Sequence, residues 1–198
     1  LSPVFLFAMV GIKLSNNGPI FYKSLRVGKD GNLFTMYKFR SMKLESKIKS
    51  SITGTNDPRV FSFGNLLRKT KIDELPQLFN ILKGEMSIVG PRPEDPLIVE
   101  KYYSNIEKRT LSVLPGLASP GSIFNYTHSN IYLQNVDIEQ DYVNNLLPIK
   151  LKLELYYVDH RNLLYDFIII IRTIRVVFLI ICGKKSFKYP KEFNFINN

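Results

Sequence analysis

Asp73 and Glu74 are adjacent carboxylates, and Arg68, Lys69 and Lys71 come just before them. That mixture suits phosphoryl chemistry. A carboxylate can attack phosphorus or hold a divalent metal, while neighbouring cations neutralise phosphate oxygens. Further along, Arg92 stands between Pro91 and Pro93 in Gly90-Pro91-Arg92-Pro93. Two prolines fix the backbone on either side of it, so its side chain loses less freedom on binding an anion than one on a loose loop. Lys38 and Arg40 lie two apart and share a face if they lie on a strand, and Arg59 follows Asn56-Asp57-Pro58, a turn sequence. Each has an ordinary reading as well. Asp73 can simply cap a helix while Glu74 is solvated, Arg92 can be exposed on a stiff loop, and Lys38, Arg40 and Arg59 can be surface charges.

The elements that must position these groups follow from patterning. Thr70 and Asp73 have capping-box spacing, which starts a helix there. Leu75, Leu78, Phe79 and Leu82 follow at i, i+3, i+4 and i+7, a stripe expected to be buried. Pro76 is tolerable in the first turn, and Gly84 ends the helix. On this reading both carboxylates sit at a helix N-terminus, where unpaired N–H groups and the dipole keep them ionised. A hairpin is expected around Lys29-Asp30-Gly31-Asn32, between IFYKSLRVG and LFTMYKFRSM. Glu45–Ser51 reads as a loop or short helix end, Met86–Val89 as a short apolar run, and Pro96–Leu111 as a helix of mixed charge. The Gly/Pro/Ser-rich stretch after Leu114 reads as extended or looped.

The 198 residues suggest a single domain with a real core. With 27 basic against 17 acidic residues, the net charge of +10 implies an anionic partner: nucleic acid, anionic lipid or a phosphorylated substrate. One cysteine, Cys182, excludes an internal disulfide, and with only His128 and His160 besides, no zinc site is expected. His128 is either a polar loop residue or a contact for a bound substrate. No secretory signal peptide is read. The chain opens without Met inside the apolar run LSPVFLFAMVGIKL, which as a helix reaches only about 20 Å against a bilayer core of about 30 Å. It is a buried element or part of a membrane insertion. Leu163–Cys182 is apolar but carries Arg172 and Arg175 on one helical face. A spanning helix would bury both, whereas a helix lying in the membrane surface lets them reach anionic phosphates; a buried strand is the other option. GKKSFKYPKEFNFINN reads as a basic, weakly ordered tail near anionic lipid.

The blocks YKFRSM (37–42), NDPRV (56–60), LLRKTKIDELPQLFNILKGEMSIVGPRP (66–93) and LPG (114–116), with LELYYV (153–158) more weakly, are similar to those of the bacterial sugar transferases. These are the monotopic phosphoglycosyl transferases that begin surface-polysaccharide and glycoconjugate assembly. The resemblance implies transfer of a sugar-1-phosphate from a nucleotide-sugar, expected to be a UDP-sugar, to polyprenyl phosphate with release of UMP. It further implies Asp73 as nucleophile through a covalent intermediate, and Glu74 with Asp73 as ligands of Mg²⁺. Arg68 and Arg92, flanked by Pro91 and Pro93, would neutralise phosphate oxygens, with Lys38, Arg40 and Arg59 as secondary contacts. The implied fold is α/β mixed and mostly helical, with a small hairpin, surface-lying amphipathic helices and a re-entrant membrane helix. In that arrangement residues 1–14 are the returning half, broken at Ser2-Pro3 with the incoming half upstream. Residues 15–183 form the catalytic domain and 184–198 the tail. The implied location is the bacterial cytoplasmic membrane, on anionic inner-leaflet lipid, with the site facing the cytoplasm. Many family members read PGITGWAQVNGR after the LPG block; this chain lacks that tryptophan and arginine, so contacts to sugar or base do not carry over. Two alternatives compete: a non-catalytic basic membrane-surface module, and a nucleic-acid-binding protein, suggested by charge alone and lacking any signature for it.

Overall fold

The computed structural model describes residues 2–44, 52, 54, 57–134 and 137–196. The fold is mixed α/β and mostly helical. Helix α1 (Ser2–Ser15) is followed by the hairpin β1 (Phe21–Val27) and β2 (Leu33–Phe39), paired antiparallel from Phe21↔Phe39 to Val27↔Leu33. Asp30 and Gly31 supply the positive φ values, 57° and 82°, that the turn between them needs. Ser2 and Pro3 lie in the first turn of α1, where proline is tolerated, so α1 is one helix over its described length. It turns Ala8 and Ile12 onto Phe39, Phe61 and Leu67 and leaves Leu6, Phe7, Val10 and Leu14 exposed.

The segment expected to be one helix from Thr70 is instead three pieces. Helix α2 (Ser62–Thr70) comes first, and Thr70 is its last residue: its hydroxyl donates to the carbonyls of Leu66 and Leu67 rather than capping anything downstream. Lys71, at φ 58°, stops α2. A 3-10 turn, Ile72–Glu74, then carries the carboxylate pair, and α3 (Gln77–Leu82) follows. Gly84 closes α3 as expected, at φ 74°, with Glu85 N–H reaching Asn80 O at 3.0 Å and Gly84 N–H reaching Ile81 O at 2.9 Å.

The phase of α3 also differs from the expected one. Its buried residues are Gln77 and Asn80, whereas Phe79 and Leu82 are 47% and 83% exposed. Asn80 is the physical reason. Its Oδ1 accepts from Tyr37 N–H at 3.1 Å, and its Nδ2 donates to Thr35 O and Glu85 Oε2, each at 2.7 Å. The amide thus acts as a short strand on the open edge of β2 and satisfies backbone groups that would otherwise be stranded. A six-residue helix has too little apolar surface to overrule that anchor.

Strand β3 (Ser87–Val89) pairs in parallel with β4 (Gly116–Ala118). A Cβ on Gly116 would collide with the backbone of Gly90, so this Pro-Gly is a requirement of close approach. Helix α4 (Pro96–Tyr102) is shorter than the expected Pro96–Leu111 helix. Tyr103 turns extended, and a 3-10 segment, Glu107–Ser112, completes the stretch. The Gly/Pro/Ser-rich stretch is likewise not all loop. Ser119 caps and Pro120 opens α5 (Pro120–Tyr132), the Ser119 hydroxyl accepting from Ser122 N–H at 2.9 Å.

Helix α6 (Ile138–Asp141) runs through a π turn, Tyr142–Leu146, into α7 (Leu147–His160). Ile98 and Val99 of α4, Phe124 of α5 and Leu147, Leu151 and Leu153 of α7 form the main core. Leu163–Ile181 is helical (α8), which removes the strand option, and only Ile169 on it is buried. Leu163, Leu164, Phe167, Ile171, Ile174 and Phe178 are exposed. No helix among the described residues is long and apolar enough to cross a membrane. The re-entrant arrangement therefore stays an expectation.

The tail corrects a further expectation, because it packs back on the domain. Tyr189 stacks on His128 with centroids 4.4 Å apart, and Phe193, in α9 (Phe193–Ile196), stacks on Tyr189 at the same distance. Buried Glu192 accepts from Tyr165 at 2.7 Å and from Arg172 Nη2 at 3.0 Å. Arg172, expected to face lipid, is thus neutralised within the chain, while Arg175 remains exposed. Glu45–Ser51 and Asn56 lie outside the described residues; the rest of the expected turn forms, with Val60 N–H on Asp57 O at 3.0 Å.

Candidate active site

The 3-10 turn puts Asp73 and Glu74, both 6% exposed, at the wall of a cleft of about 720 Å³. The hairpin contributes Lys38 to the cleft, α2 contributes Arg68, and the loop after β3 contributes Arg92. Lys71 and Tyr126 of α5 complete this end. Its size is that of an ordinary small-molecule site.

Glu74 is fully engaged. Arg92 grips it with two parallel bonds, Nη2 to Oε1 at 2.6 Å and Nη1 to Oε2 at 3.0 Å. Tyr126 donates to Oε2 at 3.2 Å, and Lys38 Nζ stands 3.9 Å from Oε1. Burial opposes the Glu74 charge, but Arg92, Lys38 and Lys71 outweigh it and hold the carboxyl well below its ordinary range. Asp73 is the opposite case. Burial and the adjacent Glu74 charge push it up, and Oδ1 is buried without a hydrogen-bond partner. Two neighbouring carboxyls are thereby driven apart, one firmly ionised and one poised to accept charge or a cation. This differs from the expected helix N-terminus: the pair lies between two helices, and side-chain cations rather than a dipole set its charge.

The other sequence candidates divide clearly. Lys38 faces the dyad, and burial, then Arg92, lower its pKa to about 8. Arg68 lines the cleft. Pro91 and Pro93 are buried, and the loop they stiffen is tied at both ends: Gly116 N–H donates to Pro91 O at 2.9 Å, and Arg92 N–H donates to Glu154 Oε1 at 3.2 Å. Arg40 borders the cleft but is not a ready phosphate contact. The strand ends at Phe39, and the guanidinium turns to the Asn16 side chain, to Asn16 O at 2.7 Å and to Pro19 O at 2.6 Å. Arg59 also lines the cleft, yet its Nε and Nη2 are held by Asp57 at 2.6–3.0 Å, so its charge is matched inside its own turn. His128 is a core residue of α5, 2% exposed and stacked on Phe124, with its pKa lowered by burial, and it does not line this cleft.

Sequence reading missed three contributors. Tyr126 is one, and a signal for it existed. Counted from Pro115-Gly116, position 126 is where the family block carries its arginine. The second is the buried cluster Glu94–Lys150–Tyr142, with Lys150 Nζ 2.7 Å from Glu94 Oε2 and 2.8 Å from the Tyr142 hydroxyl. The third is Glu154, which accepts from Ser119 at 2.7 Å as well as from Arg92 N–H, and so ties α5 and the Arg92 loop to α7.

Glu154 gives a pH-dependent expectation. Burial raises its pKa from 4.5 to about 7, against the opposing pulls of Ser119, Lys150 and Arg92. A raised carboxyl binds more protons folded than unfolded, so its stabilisation is full below pH 4.5 and is lost as pH rises through about 7. That span corresponds to about 3 kcal/mol. Urea unfolding between pH 5 and 8 should show wild type weakening with pH more steeply than Glu154→Gln. Parallel curves would refute the assignment.

A Mg²⁺ ion bound at this dyad could take Asp73 Oδ1, the open carboxylate oxygen. Both Glu74 oxygens are occupied by Arg92, and the described residues contain no cluster of three or more His, Cys, Asp or Glu. That donor set fits magnesium of the kind held by one or two carboxylates, substrate phosphates and water.

Comparison with known proteins gives the chain a family. The family described as "Bacterial sugar transferase" matches residues 1–179. The chain is 34% identical over 179 residues to the UDP-N-acetylgalactosamine-undecaprenyl-phosphate N-acetylgalactosaminephosphotransferase of Aeromonas hydrophila, covering 89% of this chain and 39% of that protein. It is 45% identical over 120 residues to the UDP-glucose:undecaprenyl-phosphate glucose-1-phosphate transferase of Escherichia coli, 59% of this chain and 26% of that protein. With the exopolysaccharide production protein ExoY of Sinorhizobium fredii it shares 36% over 197 residues, 90% of this chain and 79% of that protein. The chain thus spans less than two thirds of the first two relatives' length.

Proposed function

The chain belongs to the bacterial sugar transferase family, and from that premise we propose that it moves a sugar-1-phosphate from a UDP-sugar to undecaprenyl phosphate, releasing UMP. The observation that carries this reading is Asp73: a buried carboxyl with an unpartnered oxygen, in a cation-lined cleft, beside a carboxylate already neutralised. A non-catalytic membrane-surface module has no use for such an oxygen. The names of the relatives supply the donor and acceptor classes.

In the proposed reaction an Asp73 oxygen attacks the β-phosphorus of the donor. The bond from that phosphorus to the bridging oxygen breaks, UMP leaves with the electron pair, and a sugar-phosphoryl aspartate remains. An oxygen of the lipid phosphate then attacks the same phosphorus and expels the Asp73 carboxylate, giving the polyprenyl-diphosphate sugar. Lys38, Arg68 and Arg92 neutralise phosphate oxygens through both steps, and Glu74 holds Arg92 in position. Asp73 must ionise to attack, so its upward shift places the acid limb of activity above the ordinary carboxylate range. Mg²⁺, held by Asp73 Oδ1 and donor phosphates, with Glu74 joining if Arg92 turns to phosphate, would supply further charge neutralisation.

The exposed apolar faces of α1, α3 and α8 suit a monotopic seat on the bacterial cytoplasmic membrane, among anionic inner-leaflet lipids, with the cleft open to the cytoplasm. No role for nucleic acid follows. A UMP-release assay in nanodiscs, with a panel of UDP-sugars, undecaprenyl phosphate and Mg²⁺, tests the reading. UMP released in excess over enzyme from one donor, and only when the lipid is present, supports multiple-turnover transfer; no release from any donor rejects it.

A further inference from the structure

The cations around the dyad are not equivalent. Arg40, Arg59 and Arg92 are committed to protein acceptors, and Lys38 approaches Glu74. Lys71 has no hydrogen bond or ion pair from its ammonium among the described residues, yet it is not loose. Its Nζ rests 3.6 Å from the centroid of the Tyr126 ring. Its backbone, at φ 58°, is in the left-handed region that a lysine adopts at a cost, where it ends α2 and begins the turn carrying Asp73. The ring is itself fixed, because its hydroxyl donates to Glu74 Oε2 at 3.2 Å and lies 3.5 Å from Arg92 Nη1.

We propose that Tyr126 and Lys71 form one phosphate-binding unit, in which the ring seats the ammonium at the cleft and so sets affinity for the donor's diphosphate. The inference rests on the cleft taking a nucleotide-sugar. A cation over an aromatic face is attracted by the ring's quadrupole without giving up its N–H donors to a carboxylate. Those donors stay available to an arriving phosphate, and the lysine has less freedom to lose on binding it. Tyr126 is the positioning residue in this unit, and Lys71 makes the contact.

The test is equilibrium binding of UDP with Mg²⁺ to the full chain, for wild type, Lys71→Met, Tyr126→Leu, their combination and Tyr126→Phe. Each of the first two changes should weaken UDP by about tenfold, the size of one charge-assisted contact. The combination should be about as weak as either alone, since both remove one unit. Tyr126→Phe keeps the ring but loses the hydroxyl that fixes it, so it should bind UDP more weakly than wild type and more tightly than Tyr126→Leu. Strictly additive losses, an unchanged Tyr126→Leu, a Tyr126→Phe as weak as Tyr126→Leu, or no UDP binding by wild type would each overturn the unit. UMP release is read separately: turnover with additive binding losses removes this inference and keeps the reaction, while coupled losses without turnover do the reverse.

Discussion

Asp73→Asn should abolish UMP release while leaving the fold intact. Asparagine preserves the shape of the side chain but cannot form a bond to phosphorus. The expected loss is roughly 10³-fold or more, a barrier increase of about 4 kcal/mol. Stability should move the other way. Burial and the Glu74 charge raise the Asp73 pKa, so ionised Asp73 weakens the folded state as pH rises through its folded pKa. Removing that cost should leave the melting temperature at pH 7.5 equal to wild type or higher. A protein both inactive and unfolded would point to a structural role, and an active one would remove Asp73 from the chemistry. The pairing of lost activity with kept or gained stability is what a strained functional group produces.

Arg92→Met should cost both activity and stability. It leaves Glu74 ionised and buried, with Tyr126 at 3.2 Å, Lys38 at 3.9 Å and the more distant charge of Lys71 to compensate. Breaking one partner of a buried pair typically costs about 3–5 kcal/mol. For a chain of this size that lowers the melting temperature by roughly 10 °C. The pH dependence carries a sign as well. Glu74's depressed pKa means that its stabilisation is full above its ordinary value of 4.5 and lost as pH falls towards the folded value. In Arg92→Met that acid resistance should shrink. Adding Glu74→Leu should recover most of the stability and none of the activity, because an apolar pair removes the stranded charge. If the double variant were as unstable as Arg92→Met, loop packing rather than charge would explain the loss.

The site was more legible in the sequence than the way it is held. Asp73, Glu74, Arg68 and Arg92 sit in one contiguous block, so local spacing brought them into view, and Lys38 arrived through the hairpin that Lys29-Asp30-Gly31-Asn32 announces. Where tertiary contacts decide, patterning misled. The apolar positions of α3 have helical spacing, but Asn80 anchors the helix to Thr35 and Tyr37, residues far away in the chain. Arg40 sits one place beyond β2, and its fate depends on Asn16 and Pro19. The glycines and prolines after Leu114 suggested a loop, yet Ser119-Pro120 is a helix start. The tail looked basic and unattached because the aromatic rings that dock it, Tyr189 and Phe193, find His128 only in three dimensions. Tyr126 is a partial case: its place in the block after Pro115-Gly116 was visible, but its contact with Lys71, far away in the chain, was not.

In the proposed reaction everything turns on the bond that Asp73 forms to the sugar phosphate. The direct measurement is intact-protein and peptide mass spectrometry after incubation with the active UDP-sugar and Mg²⁺, with undecaprenyl phosphate withheld. A mass gain equal to one sugar phosphate is expected on the peptide containing Asp73, absent from Asp73→Asn and discharged when undecaprenyl phosphate is added. UMP release with no adduct under rapid acid quench, or an adduct on another residue, would contradict it.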